Sequence, residues 1–132
     1  MATASAARRS GFAHDVETAG HSLIADEPPD RGGTDEGPSP TRLLAAALAS
    51  CTAITVEMYA DRKGWELPDL RVEVEMNGSL VKGDASYEVV LHLPGGLTEE
   101  QTRRITTIAG KCPVHKAVAG ETPISTRTRA DG

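Results

Sequence analysis

Aromatic residues are scarce in this chain: one Trp, one Phe and two Tyr among 132 residues. That is too few for a platform on which successive bases stack. A basic excess is also missing. The formal net charge is -5, whereas phosphate backbones are bound through a surplus of lysine and arginine. Nucleic acid is therefore not expected as a partner. No apolar run reads as long enough to span a membrane, so none is expected there either. The first ten residues hold Arg8 and Arg9 with no apolar stretch behind them, which argues against a secretory leader. Cysteine is limited to Cys51 and Cys112. The expected location is cytoplasmic, where thiols stay reduced and a structural disulfide is not the default. Packing, metal binding or redox chemistry are the roles left to the pair.

Small apolar residues are plentiful, and they gather in one stretch. From Ser39 to Ala60 the chain reads as its longest and most apolar helix. Pro40 has a φ suited to the first helical position, and Ser39 can cap the free amides. Leu44, Ala47, Leu48, Cys51, Ile54, Thr55 and Met58 recur at spacings of three and four. The opposite side is mostly alanine, so burial nearly all round is expected. Arg62 and Lys63 suit a helix C-terminus, and Gly64 ends it.

Around this helix the chain reads as a single domain, residues 1–132, with the first ten frayed. Gly11 to Ala25 is expected to form a hairpin turning at Thr18-Ala19-Gly20. Asp26 to Pro38, rich in proline, glycine and acids, is a loop. Leu70, Val72, Val74 and Met76 alternate with Arg71, Glu73 and Glu75, as a half-buried strand does. Tyr87, Val89, Leu91 and Leu93 make its hairpin partner. The turn lies at Asn77-Gly78 or at Lys82-Gly83-Asp84, and the register between them stays open. Thr98 and Gln101 form a capping box for a helix carrying Ile105, Ile108 and Ala109. Pro113 breaks that helix and can open a short one, Val114 to Val118, ended by Gly120. Thr122 to Thr128 reads as a final edge strand. Hairpins imply antiparallel sheet with helices packed on one face, an α+β fold. The apolar central helix needs further cover, for which a second copy of the chain is the simplest source.

The two cysteines differ in setting. Cys51 lies mid-helix on an apolar face, where burial raises a thiol pKa. Cys112 can sit at the N-cap of the short helix, where free amides favour a thiolate, with Lys111, His115 and Lys116 nearby. Local physics thus nominates Cys112 as the more reactive thiol. Packing is the plain alternative for either. Cys112-x-x-His115 also has ligand-like spacing, and Cys51 with His14, His21 or His92 could complete a metal site. A lone C-x-x-H is weak, so neither a metal nor another cofactor is expected.

Two segments carry a resemblance. Gly32 to Pro40 running into Leu43 to Thr52, then Met58 to Trp65, resembles the OsmC/Ohr family of osmotically inducible and organic-hydroperoxide-resistance proteins. Leu97 to Gln101 followed by Ile108 to Lys116 is similar to that family's second cysteine motif. The resemblance implies an intertwined homodimer with antiparallel sheet around long central helices. It implies a peroxidase of organic hydroperoxides, with Cys51 peroxidatic, Cys112 resolving and a cellular dithiol as reductant. It thereby reverses the ranking from local physics. Hydroperoxide-resistance members place a glutamate after the proline that opens the central helix, and an arginine in the early hairpin. Here the first position is Thr41, and Glu17 to His21 holds no arginine. Arg31, Arg42, His21 and His115 are the candidates to activate Cys51. The other reading is a non-enzymatic dimeric small-molecule-binding protein whose cysteines do no redox chemistry.

Overall fold

The computed structural model describes residues 2–120 and 122–130. It has the strands and helices of an antiparallel α+β chain, in two compact units, Met1–Ala47 and Leu48–Gly132. The boundary falls within the long helix α1, Pro40–Lys63.

The first unit is built on a three-stranded antiparallel sheet, β1 (Ser5–Ser10), β2 (Ala13–Thr18) and β3 (His21–Ala25), in that spatial order. The expected hairpin is β2–β3, and its turn residues Ala19 and Gly20 have φ of 49° and 83°. Positive φ at both central positions matches the twist of the flanking strands. Residues 5–10, expected to be frayed, are instead an edge strand paired with β2 from Ser5↔Glu17 to Ser10↔Ala13. Every β1 side chain is exposed, so no apolar alternation marks it. Backbone pairing alone makes it a strand.

The Asp26 to Pro38 loop folds over one carboxylate. Asp26 is 2% exposed and accepts from the Glu27 amide at 2.7 Å, the Thr34 amide and hydroxyl at 3.2 and 3.0 Å, and the Glu36 amide at 3.1 Å. The Glu36 amide, with those of Glu27 and Thr34 and the Thr34 hydroxyl, holds its carboxyl below the usual 3.8 against the opposing pull of burial. The loop passes so close to β3 that a Cβ on Gly37 would lie 1.8 Å from the Ile24 carbonyl oxygen.

Helix α1 starts as expected. Ser39 caps it through the Arg42 amide at 3.4 Å, and Gly64, at φ 73°, ends it. The Trp65 amide closes the last turn on the Ala60 carbonyl at 2.9 Å. Two observations bear on what is expected of α1. Within the single chain its buried stripe is Leu48, Thr52, Val56 and Ala60, while Ile54 and Met58, on the side for which cover by a second copy is expected, are 54% and 61% exposed. An alanine-rich helix offers two apolar sides, and the residues that pack here lie four apart on only one of them. It is also long and apolar enough, with mean hydropathy 1.6, to meet the length and composition of a membrane-crossing helix.

In the second unit β4 (Arg71–Asn77) and β5 (Ser86–His92) form a two-stranded antiparallel sheet. The expected β4 alternation holds, with Val72, Val74 and Met76 half-buried. Asn77 pairs with Ser86, so both candidate turns lie in the one connecting loop. Helix α2 (Glu99–Ala109) begins with the expected capping box. The Thr98 hydroxyl accepts from the Gln101 amide at 3.0 Å, and the Gln101 side chain accepts from the Thr98 amide at 2.9 Å. The core joins Val56 and Ala60 of α1 to Leu67 and to Ile105 and Ala109 of α2, with Leu91 of β5 against it. A short helix α3, Pro113–Ala119, follows as expected. The expected strand at 122–128 is not formed: among the described residues no segment of the chain pairs with it.

Candidate active site

Cys51 and Cys112 both belong to the second unit, and both are free thiols. Cys51 sits mid-way along α1. Cys112 is the N-cap of α3, in extended backbone at φ -61° and ψ 136°. This cap follows from the local sequence. Pro113 has no amide and fits the first helical position, so the first free donors are those of Val114 and His115. The His115 amide donates to the Cys112 Sγ at 3.3 Å.

The two thiols are close enough to influence each other. Burial pushes the Cys51 thiol up, and the neighbouring Cys112 sulfur adds to it, against weaker help from the Val114 amide and the Thr55 side chain. Burial pushes Cys112 up too, but donation from Cys51, the His115 amide, Thr52 and the Val114 amide outweighs it and brings its pKa below 9.0. The two thiols are thus shifted in opposite directions, and of the pair Cys112 is the one that ionises first. Accessibility runs the other way. Cys112 is fully buried, whereas Cys51 is only partly covered and open to solvent.

Of the four residues considered as activators, His115 lies in the cysteine-bearing unit, and its contact with Cys112 is through its backbone amide. Arg31, Arg42 and His21 lie in the first unit. Arg31 ends a 3-10 turn in the loop, the Arg42 amide takes part in the α1 cap, and His21 opens β3. Sequence reasoning missed Thr52, Thr55 and the Val114 amide. Thr55 follows Cys51 by four residues and so shares its helix face. That spacing was the available signal.

The metal alternative finds no support in geometry. The His14 Nδ1 is hydrogen-bonded to the Phe12 carbonyl at 2.8 Å, and the His92 Nε2 to Glu73 at 2.6 Å. Among the described residues no group of three or more His, Cys, Asp and Glu is placed to hold a metal ion. Separately, the first unit contains an apolar recess of about 440 Å³ lined by Phe12, His14, Val16, Pro40 and Leu43. Beside it Glu27, whose Oε2 is buried without a hydrogen-bond partner, forms part of the wall.

An antiparallel α+β chain that brings two reduced cysteines together at a helix start defines a dithiol protein. The family model for OsmC-like protein matches residues 33–127, and the chain belongs to that family. It is 34% identical over 67 residues to YmaD of Bacillus subtilis, a match covering 51% of this chain and 45% of that protein. The matched region thus spans about half of that relative's length. Among solved structures, the chain resembles a protein from Psychrobacter arcticus named for osmotic stress induction and detoxification. The TM-score is 0.77 at 22% identity, covering 89% and 88% of the two chains. It also resembles an organic hydroperoxide resistance protein, OsmC, from Legionella pneumophila, with TM-score 0.67, 25% identity and coverage of 91% and 90%.

Proposed function

We propose that this chain is a thiol-dependent peroxidase that reduces organic hydroperoxides in defence against oxidative stress. The observation that carries this reading is the pairing of an accessible Cys51 with a buried, anion-favouring Cys112. A peroxide must touch the sulfur it oxidises, which assigns attack to Cys51 and resolution to Cys112. Cys112 first takes the proton that Cys51 holds. The Cys51 thiolate then attacks the outer oxygen of ROOH, the O–O bond breaks, and Cys51 becomes a sulfenic acid. The departing alkoxide takes the proton back from Cys112 and leaves as ROH. The Cys112 thiolate attacks the Cys51 sulfur, the S–O bond breaks, a disulfide forms, and the departing hydroxide takes a proton from solvent to become water. A cellular dithiol reduces it by thiol–disulfide exchange.

The assembly in this reading is a cytoplasmic homodimer that needs no metal or other cofactor, nucleic acid or membrane. The uncovered Ile54 and Met58 on α1 support a second copy as the cover. The kinship with a hydroperoxide resistance protein supports the substrate class.

The test is loss of cumene hydroperoxide by the purified chain with dithiothreitol as reductant. Turnover is expected, with abolition in Cys51→Ser. Cys112→Ser is expected to consume one equivalent and then stop turning over through the disulfide. Full turnover in Cys51→Ser overturns the assignment. The recess in the first unit favours a second reading, a small-molecule-binding protein with redox-inactive cysteines. A parent chain that consumes no peroxide and forms no disulfide, yet binds an apolar ligand, decides for that reading.

A further inference from the structure

The recess in the first unit has apolar walls and one polar group left unanswered. Ala6, Phe12, Val16, Ala25 and Leu43 line a volume of about 440 Å³, within the range of small-molecule sites. Asp26, Glu27 and His14 complete the wall. Asp26 is fully engaged: its carboxylate oxygens accept from the amides of Glu27, Thr34 and Glu36 and from the Thr34 hydroxyl. Glu27 differs. Its Oε2 is buried without a hydrogen-bond partner, and none of the ion pairs among the described residues includes it. Its backbone is held on both sides, the amide by Asp26 at 2.7 Å and the carbonyl by the Asp35 amide at 3.1 Å. His14 donates from Nδ1 to the Phe12 carbonyl at 2.8 Å, because a carbonyl only accepts. In the neutral ring that leaves Nε2 as an acceptor.

A carboxylate withdrawn from water stays costly until a donor or a cation reaches it. The side-chain groups left over in this wall, the Glu27 carboxylate and the His14 Nε2, both accept. What the wall lacks is a donor. An alcohol supplies one proton, but two carboxylates in one wall favour a positive charge and repel a negative one. The apolar walls select a hydrocarbon body on the same molecule. We propose that the recess is a binding site for a hydrophobic primary ammonium, its hydrocarbon against Phe12, Val16 and Leu43 and its ammonium paired with the Glu27 carboxylate. The site lies wholly in the first unit and uses neither cysteine, so it holds whether or not the thiols turn over peroxide. It rests on the small-molecule-binding reading given above and adds the charge of the ligand.

The experiment is calorimetric titration of the full chain with n-octylammonium, n-octanol and n-octanoate, which share a hydrocarbon chain and differ in head group. Octylammonium is expected to bind roughly tenfold more tightly than octanol, the margin of a charge-assisted over a neutral hydrogen bond, and octanoate not to bind. Glu27→Gln keeps the side-chain size and removes the charge. It should weaken octylammonium roughly tenfold and leave octanol unchanged. Ala6→Leu, at an exposed position of β1, narrows the recess and should weaken octylammonium and octanol together. Equal affinity for these two overturns the proposal and leaves the apolar-ligand reading standing. Failure of all three to bind overturns both. Octylammonium binding that survives Glu27→Gln and Ala6→Leu unchanged puts the ligand elsewhere and also overturns the proposal. If the glutamine variant does not fold, the head-group series and Ala6→Leu decide.

Discussion

At the residue scale the thiols are opposites packed together. Cys112 has its pKa lowered below 9.0 and Cys51 has its own raised above it. Titration of the reduced chain by thiolate absorbance is therefore expected in two separated steps, one on each side of 9.0. The sign of the stability effect follows. Below 9.0, once Cys112 has ionised, the native state has lost a proton that the unfolded thiols still keep, so stability rises with pH. Above 9.0 the unfolded thiols have both ionised while native Cys51 keeps its proton, so stability falls. The pair's contribution peaks near pH 9.0. Urea midpoints across this range, against a chain carrying both Cys51→Ser and Cys112→Ser, check it. A monotonic difference contradicts the opposed shifts of the two thiols. In the sequence, each sulfur's own element could be read, since Pro113 announces the α3 cap and the apolar periodicity announces α1. Their meeting could not, because it depends on how α3 packs against α1 and no local pattern encodes that.

At the element scale, legibility follows how local the cause is. The α2 capping box needs only residues 98–101 and was plain in the sequence. Thr98→Ala removes the acceptor of the Gln101 amide and is expected to destabilise the chain by about 1 kcal/mol. Thr98→Ser should recover most of that loss, as read by urea unfolding. Ile105, fully buried in the core beside Val56 and Ala60, is expected to be costlier: Ile105→Ala loses about 3 kcal/mol through lost burial and the cavity left behind. Elements stabilised from outside were harder to read. Strand β1 has no apolar face, and its order comes from its ladder with β2. Residues 122–128 alternate like a strand, but among the described residues no neighbouring strand takes them up. Asp26 sits among several other acids in its loop, and only the folded backbone singles it out as the one that four donors converge on.

At the scale of the whole molecule, the deciding feature is the side of α1 that this chain leaves bare. Ile54 and Met58 lie four residues apart, hence on one helix face, and both are more than half exposed. In the first unit Phe12 and Leu23 are also exposed, at 57% and 41%. Large apolar side chains grouped on a helix face are a liability for an isolated chain and an asset at an interface. With a net charge of -5 the chain has enough like charge to resist indiscriminate association, so a specific, self-complementary contact is the expected outcome. Sedimentation should give twice the 13.9 kDa chain mass for the parent. Ile54→Lys places a charge in the middle of the proposed contact and is expected to shift the equilibrium towards monomer by a factor of ten or more, given ~1.4 kcal/mol per decade. Two results contradict this assignment: a parent that sediments as a monomer, or one that partitions onto lipid vesicles through α1. The second would mean that the helix takes its cover from a bilayer and not from a second copy.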